Sequence, residues 1–157
     1  EDNWSYNVAI VYNLINNNSE ELITKLKKES KICIARSPLN SGLITTKFMS
    51  RGYFSKFDPR NREMYGSDLE NKINKIKYIT EKFKLNVNNL TEVAFGFILN
   101  NINIDHIIFG PSTINQIKNI NIINSKYKNY ITYKKTKEIK RVNLKLKEIF
   151  PTKNQLN

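Results

Sequence analysis

The stretch VAIVYNLINNNSEELITKLKKESKICIA, Val8 to Ala35, decides the fold. Val8 to Val11 is a short β-branched apolar run that continues through Tyr12 and Leu14 to Ile15. The cluster Asn16-Asn17-Asn18-Ser19 ends it, which reads as a buried strand and then a turn. Ser19 stands where a helix cap belongs, and Glu20 and Glu21 in the first turn complement the helix dipole. Leu22, Ile23 and Leu26 fall on one face. Lys25, Lys27, Lys28 and Lys31 load the C-terminal end with the favourable sign. Ile32, Cys33, Ile34 and Ala35 then form a second short strand. A strand-helix-strand unit with short joints is the signature of parallel β/α architecture.

Outward from this unit the pattern continues. Ser37 to Gly66 is aperiodic and contains Pro38, Gly42, Gly52, Pro59 and Gly66, so it reads as a functional or partly helical loop. Ser67-Asp68-Leu69-Glu70 is a capping box, and Leu69, Ile73, Ile76, Ile79 and Phe83 follow at helical spacing. Asn89-Leu90-Thr91-Glu92 is a second one, opening a helix with Val93, Ala94, Phe97 and Ile98 that Asn100-Asn101 ends. Ile104 to Phe109 reads as the third strand, with His106 among isoleucines. Gly110-Pro111-Ser112-Thr113 leads into a helix carrying Ile114, Ile117 and Ile120. Ile139, Val142, Leu146, Ile149 and Phe150 share a face of a last helix, which Pro151 stops. The predicted order is β-α-β-loop-α-α-β-α-tail. Its two outer strands present unpaired edges, a liability unless something pairs with them.

Composition narrows the function classes. The chain has 157 residues, one cysteine, one histidine and a net charge of +12. One domain is expected at this length. Cys33 alone excludes a disulfide framework, and His106 alone excludes two-histidine metal motifs. No run of 18 apolar residues exists, so a spanning helix is excluded. No basic-then-apolar segment opens the chain, so a cytoplasmic protein without a membrane partner is expected. Residue 1 is Glu, which fits either a start inside a longer reading frame or processing.

The basic residues are 21 Lys against 5 Arg, beside 24 Asn and 22 Ile, a joint excess typical of AT-rich coding. Charge is also uneven: Ser125 to the end holds 10 basic and 2 acidic residues, or +8, and the first 124 residues hold 16 and 12, or +4. Two readings fit the basic tail, a solvated helix face and a phosphate-binding element, and the coding bias disfavours nucleic acid as the partner.

Three features could carry chemistry. Ala35-Arg36-Ser37-Pro38-Leu39-Asn40-Ser41-Gly42-Leu43 leaves the C-terminal end of a strand, where parallel α/β proteins bind ligands. Pro38 and Gly42 shape a turn in which the N–H groups of Leu39 to Gly42 could grip an anion, or which simply connects strand and loop. Phe109 to Thr113 precedes a helix N-terminus, which either holds a phosphate or carries an ordinary cap on Ser112 or Thr113. Phe57-Asp58-Pro59-Arg60, with Lys47, Arg51 and Arg62 near in sequence, forms either a lid over an anion or local surface salt bridges. Cys33 and His106 both read as core residues within strands.

From about Tyr6 to Asn121 the chain resembles the C-terminal part of the aldo-keto reductase family. The matching residues are Tyr12-Asn13-Leu14, Ala35-Arg36-Ser37-Pro38-Leu39 with Gly42-Leu43, Phe57-Asp58 with Arg60, Val93-Ala94, and Gly110, Ser112 and Gln116. The resemblance implies a partial (β/α)8 TIM barrel made of the last three β/α units. Residues 1–124 would be this barrel portion and 125–157 the basic helical tail. It implies NADP-dependent reduction of small carbonyl or aldehyde substrates. Arg36 would pack against the nicotinamide, and Ser37, Leu39 and Ser41 would line the pyrophosphate on a turn set by Pro38. Lys47 would add a cation, and Gly110, Ser112 and Gln116 would hold the adenosine and its 2′-phosphate. Near the last helix the family places a Glu-Asn pair against the adenine, and Asn119 and Ile120 occupy those places here. The departures are plain. The family's catalytic Asp, Tyr, Lys and His fall in a barrel half not present here, His106 is on the wrong strand to replace the histidine, and Ala9 replaces the family's common Gln. Tyr12 is structural in the family pattern, and Glu20 and Glu21 are expected on the far side of the mouth. NADPH binding by the isolated chain is therefore expected to be weak or absent. The expected partner is the missing N-terminal half or a subunit covering the open strand edges. A non-catalytic scaffold derived from the barrel is the alternative, and nucleic-acid binding through the tail a third.

Overall fold

A computed structural model describes residues 7–63 and 66–149. Its elements are β1 (Val8–Val11), α1 (Glu20–Lys28), β2 (Cys33–Arg36), α2 (Thr46–Arg51), α3 (Arg60–Glu63), α4 (Gly66–Lys82), α5 (Leu90–Leu99), β3 (His106–Ile108), α6 (Ile114–Lys126) and α7 (Tyr133–Ile149), with short 3-10 turns at Val87–Asn89 and Tyr127–Asn129. The three strands form one parallel sheet in the order β1-β2-β3. The chain is therefore α/β with a short parallel sheet, as the sequence predicts.

The register sorts the strand residues into two faces. Ile10, Ala35 and Ile107 are aligned across the sheet, and Val8 pairs with Cys33. Ile10, Cys33 and Ala35 are buried, and Val8 and Ile107 pack against the same core. The alternate rows are Ala9-Ile34-His106 and Val11-Arg36-Ile108. None of these six is buried, because successive strand residues face opposite ways and only one face carries helices. Asp105 ties the N-terminal ends of the strands together. Its carboxylate accepts from the Cys33 N–H at 2.8 Å and pairs with Lys27 at 2.8 Å.

Helix α5 lies at the centre. Leu90, Val93, Ala94, Phe95, Gly96, Phe97 and Ile98 are all buried, so it is apolar around most of its circumference. A Cβ at Gly96 would stand 2.8 Å from Ile131 Cγ2 and 3.3 Å from the Tyr127 carbonyl, which explains the glycine inside a helix. The core continues into α7 through Ile139 and Leu146. Asn143, fully buried between them, donates to the Leu14 carbonyl at 2.8 Å.

Several expectations require correction. β1 stops at Val11, since Asn13 and Asn16 bridge each other in a tight turn through which Leu14 and Ile15 enter the core. β3 holds only His106–Ile108, and His106 is exposed, not a core histidine, because it lies on the uncovered face of an edge strand. Leu22 is exposed while Ile23 is buried. Ser19 and Asn89 precede their helices without a side-chain cap bond. α4 begins at Gly66, before the predicted Ser67 cap. Ile114 and Ile117 face solvent, because α6 meets the body only further along, through Ile123. Ile149 is likewise exposed. Phe150 and Pro151 lie outside the described residues.

Candidate functional site

Arg36, the last residue of β2, pairs with Val11 of β1 on one side and Ile108 of β3 on the other. The parallel pairing of β2 with β3 makes the segments that follow Arg36 and Ile108 leave from the same end of the sheet. The two turns singled out in the sequence are therefore neighbours.

The first turn is strained and heavily braced. Ser37, Asn40 and Ser41 have φ of 56°, 45° and 55°, and Gly42 has 91°. Left-handed backbone costs a non-glycine residue roughly 1–2 kcal/mol, so surrounding bonds must hold it. Asn40 N–H donates to the Ser37 carbonyl at 3.0 Å, Gly42 N–H to Leu39 at 2.9 Å, and Ile44 N–H also to Leu39 at 3.0 Å. Asn13 Nδ2 donates to the Ser37 carbonyl at 3.0 Å, and Thr45 Oγ1 to the Gly42 carbonyl at 2.8 Å. Pro38, Leu43 and Ile44 anchor the turn in the interior. The N–H groups of Asn40 and Gly42 are thus consumed internally, against expectation. Those of Leu39 and Ser41 meet no acceptor among the described residues. Ser41 is exposed, and Ser37 and Leu39 are half-buried.

The second turn is built differently. Phe109 packs edge-on against Phe95, with ring centroids 5.5 Å apart. Thr113 caps α6, its Oγ1 accepting from Gln116 N–H at 3.3 Å. Gln116 Oε1 reaches back to accept from the Ser112 N–H at 2.7 Å and the Ser112 hydroxyl at 3.3 Å. The return bond reaches the residue before the cap, Ser112, so the arrangement extends the cap by one residue. Nothing stands within 4 Å of a Cβ built at Gly110, so the space before it is open. Ser112, Gln116 and Asn119 are exposed along one side of α6.

The long loop forms a clamp. Arg60 grips Asp58 through Nε at 2.8 Å and Nη2 at 2.5 Å, lies 4.0 Å over the Phe54 ring, and donates through Nη1 to the Ser41 carbonyl at 2.8 Å. Hydrogen bonds from Arg60 hold the Asp58 carboxyl down to about 2. Of the two readings, the salt bridge is the one present, and it joins the loop to the first turn. Phe57 is 91% exposed. Lys47 is exposed on α2, and Arg51 is exposed at its end. The side chain of Arg62 lies outside the described residues.

Sequence reasoning missed a polar cluster at the end of β1. The buried Tyr12 hydroxyl donates to Glu20, Asn101 Nδ2 donates to the Tyr12 oxygen at 3.1 Å, and Lys140 pairs with Glu20 at 2.7 Å. Burial, with Glu20 beside it, pushes the Tyr12 phenol far above its usual range. Glu20 is therefore beside Tyr12, not on the far side. The missed signal was the brevity of the Tyr12-to-Ser19 joint, which sets the first turn of α1 beside the strand it follows. Cys33 is fully buried as expected, and burial raises its thiol. Among the described residues no group of three or more His, Cys, Asp or Glu could hold a metal. No helix among them is long and apolar enough to cross a membrane.

A comparison with curated proteins found no significant match. The model of the aldo/keto reductase family matches residues 5–142, a span that takes in the whole sheet, both turns, the clamp and most of α7. Braced turns at one end of a parallel sheet, within a match of that extent, place this chain in the aldo/keto reductase family.

Proposed function

We propose that the chain is the cofactor-phosphate-binding portion of an NADP-dependent oxidoreductase of the aldo-keto reductase type, corresponding to the last three units of a (β/α)8 barrel. Residues 1–124 supply the barrel units and residues 125–157 the basic tail. The observation that carries this reading is the adjacency of β2 and β3, which brings two anion-capable turns to one end of the sheet.

The residues fit part of such a cofactor. The free N–H groups of Leu39 and Ser41, with the hydroxyls of Ser37 and Ser41, suit a pyrophosphate, since amide donors converging without acceptors bind anions. Arg36, exposed at the end of β2 on the uncovered face, suits contact with the nicotinamide. The N-terminus of α6, with Ser112 and the open space before Gly110, suits the adenosine 2′-phosphate. Gln116 is spent on Ser112 in the free chain and must turn outward to contribute. Lys47 and Asn119 add a cation and an amide further out. When bound, the cofactor supplies a hydride to a small carbonyl.

On this reading the proton donor for that reaction comes from outside the described residues. A group meeting a developing alkoxide has to reach the reacting oxygen. Tyr12 is fully buried and bonded to Glu20 and Asn101. The catalytic residues then come from a further segment or subunit that pairs with the open edges of β1 and β3 and covers the face of Ala9, Val11, Ile34 and Ile108. A cytoplasmic setting suits that arrangement.

The test is a fluorescence titration with NADPH, with and without a complementing segment that carries the catalytic residues. Binding should tighten when the segment is present, and Ser112→Glu should abolish it by placing a carboxylate against the 2′-phosphate. A titration unchanged by Ser112→Glu overturns the assignment. A well-folded chain that pairs with the segment and never responds to cofactor indicates a scaffold.

A further inference from the structure

Helix α7 presents two faces of different chemistry. Thr136, Ile139, Asn143 and Leu146 are buried. Lys134, Lys137, Arg141 and Lys145 are exposed on the opposite side. At 100° per residue these four fall within an arc of about 80°, and at about 1.5 Å rise per residue the row runs some 16 Å. Among the described residues none of the four makes an ion pair, whereas Lys140, on the flank, is used by Glu20. The acids of α7 are only Glu138 and Glu148. Tyr133 stands at the start of the row, half exposed, with Lys137 Nζ 4.6 Å from its ring centroid.

We infer that this face of α7 is a binding surface for a single-stranded polynucleotide, with Lys134, Lys137, Arg141 and Lys145 on successive phosphates and Tyr133 stacking a base. Composition by itself disfavours nucleic acid, since the lysine excess follows the coding bias. Position favours phosphate binding. The buried face anchors the helix, so the four cationic side chains leave the backbone at fixed intervals along one row and present their charge together to a polyanion. The exposed aromatic ring supplies the stacking platform that single-strand binding adds to charge. A membrane surface is the poorer partner, because the apolar face of α7 is committed to the core and cannot enter a bilayer. The surface lies outside the turns assigned to cofactor and is independent of that assignment.

The experiment is fluorescence anisotropy of the full chain with labelled oligo-U and oligo-dT at several salt concentrations. Binding should weaken steeply with salt. The Lys134→Gln, Lys137→Gln, Arg141→Gln, Lys145→Gln combination should flatten the logarithmic salt slope by about 3, near 0.7 for each phosphate no longer neutralised. Tyr133→Ala should weaken binding about 5- to 100-fold with the slope unchanged. Lys25→Gln with Lys28→Gln on α1 is the charge control and should leave the slope as it is. Circular dichroism reports whether each variant folds. Tighter binding of oligo-U than of oligo-dT identifies RNA as the source, and the reverse identifies DNA. No anisotropy change with either strand, an unaltered slope in the folded α7 variant, or binding to anionic vesicles in place of both strands overturns the proposal.

Discussion

Arg60 reaches across 19 positions of sequence to donate to the Ser41 carbonyl at 2.8 Å, and its guanidinium occupies the space that a Cβ at Gly42 would need, 2.5 Å away. One side chain thus holds the strained turn and requires the glycine beside it. Arg60→Ala should release Ser41 from its left-handed conformation and weaken the proposed phosphate binding at the turn about tenfold, a loss of the order of one charged hydrogen bond. Arg60→Lys should rescue poorly, since an ammonium cannot hold the Asp58 carboxylate and the Ser41 carbonyl in one planar fork. Gly42→Ala should be destabilising on two grounds, the clash and the positive φ of 91°.

The same clamp sets an acid limit. Asp58 is held down to about 2, chiefly by hydrogen bonds from Arg60. A depressed carboxyl contributes stability that is present above its ordinary value near 4 and lost as pH falls toward 2. The amide resonances of Ser41 and Gly42 should therefore titrate in acid with a midpoint near 2 and not near 4. Asp58→Asn should remove that titration.

Asp105 makes a second acid-sensitive link, at the other end of the sheet. Its carboxyl is lowered first by Lys27 and then by the Cys33 N–H. Asp105→Asn should cost about 1 kcal/mol, discounted for its partial exposure, in urea unfolding at neutral pH. The difference between the two proteins should shrink as pH falls below the ordinary carboxylate range, because protonated Asp105 loses the same interactions.

Gly96→Ala should destabilise by about 1–3 kcal/mol despite the better helix propensity of alanine, because the added methyl meets Ile131 at 2.8 Å. A companion Ile131→Val, which removes only Cδ1, should not relieve this clash, whereas Ile131→Ala should relieve it in part, since it deletes the clashing Cγ2. Thermal unfolding of the single and double variants reads both effects.

Cys33 should resist alkylation in the native state and react in proportion to the unfolded population, since burial both covers the thiol and raises it. Iodoacetamide labelling against urea concentration checks this. Tyr12→Phe should cost about 1 kcal/mol, as Glu20 keeps Lys140, whereas Tyr12→Ala should cost about 3–5 kcal/mol through the cavity it leaves.

The element order was legible because local signals govern it. Short β-branched runs, Asn-rich joints and acidic first turns place the start of β1, the start of α1 and β2 within a residue, whereas the apolar run past Val11 hid the end of β1. The two turns were also legible, since a strand end followed by Pro or Gly marks them. Burial on α6 and β3 was not. Ile114, Ile117, His106 and Ile108 carry the pattern of core residues and stand exposed, because a periodic stripe says that a face is apolar and not whether anything packs on it. The hydrogen bonds of the first turn were equally hidden: which N–H groups face outward depends on φ at Ser37, Asn40 and Ser41.

The amino-acid sequence by itself determined the β/α alternation, the family and the location of the two turns at the strand ends, all properties of neighbours along the chain. Tertiary structure alone decided that Arg60 braces Ser41, that Lys140 meets Glu20, and that α7 offers its cations outward. The first two join residues 19 and 120 positions apart, and no local pattern encodes which distant side chain will fill a given space.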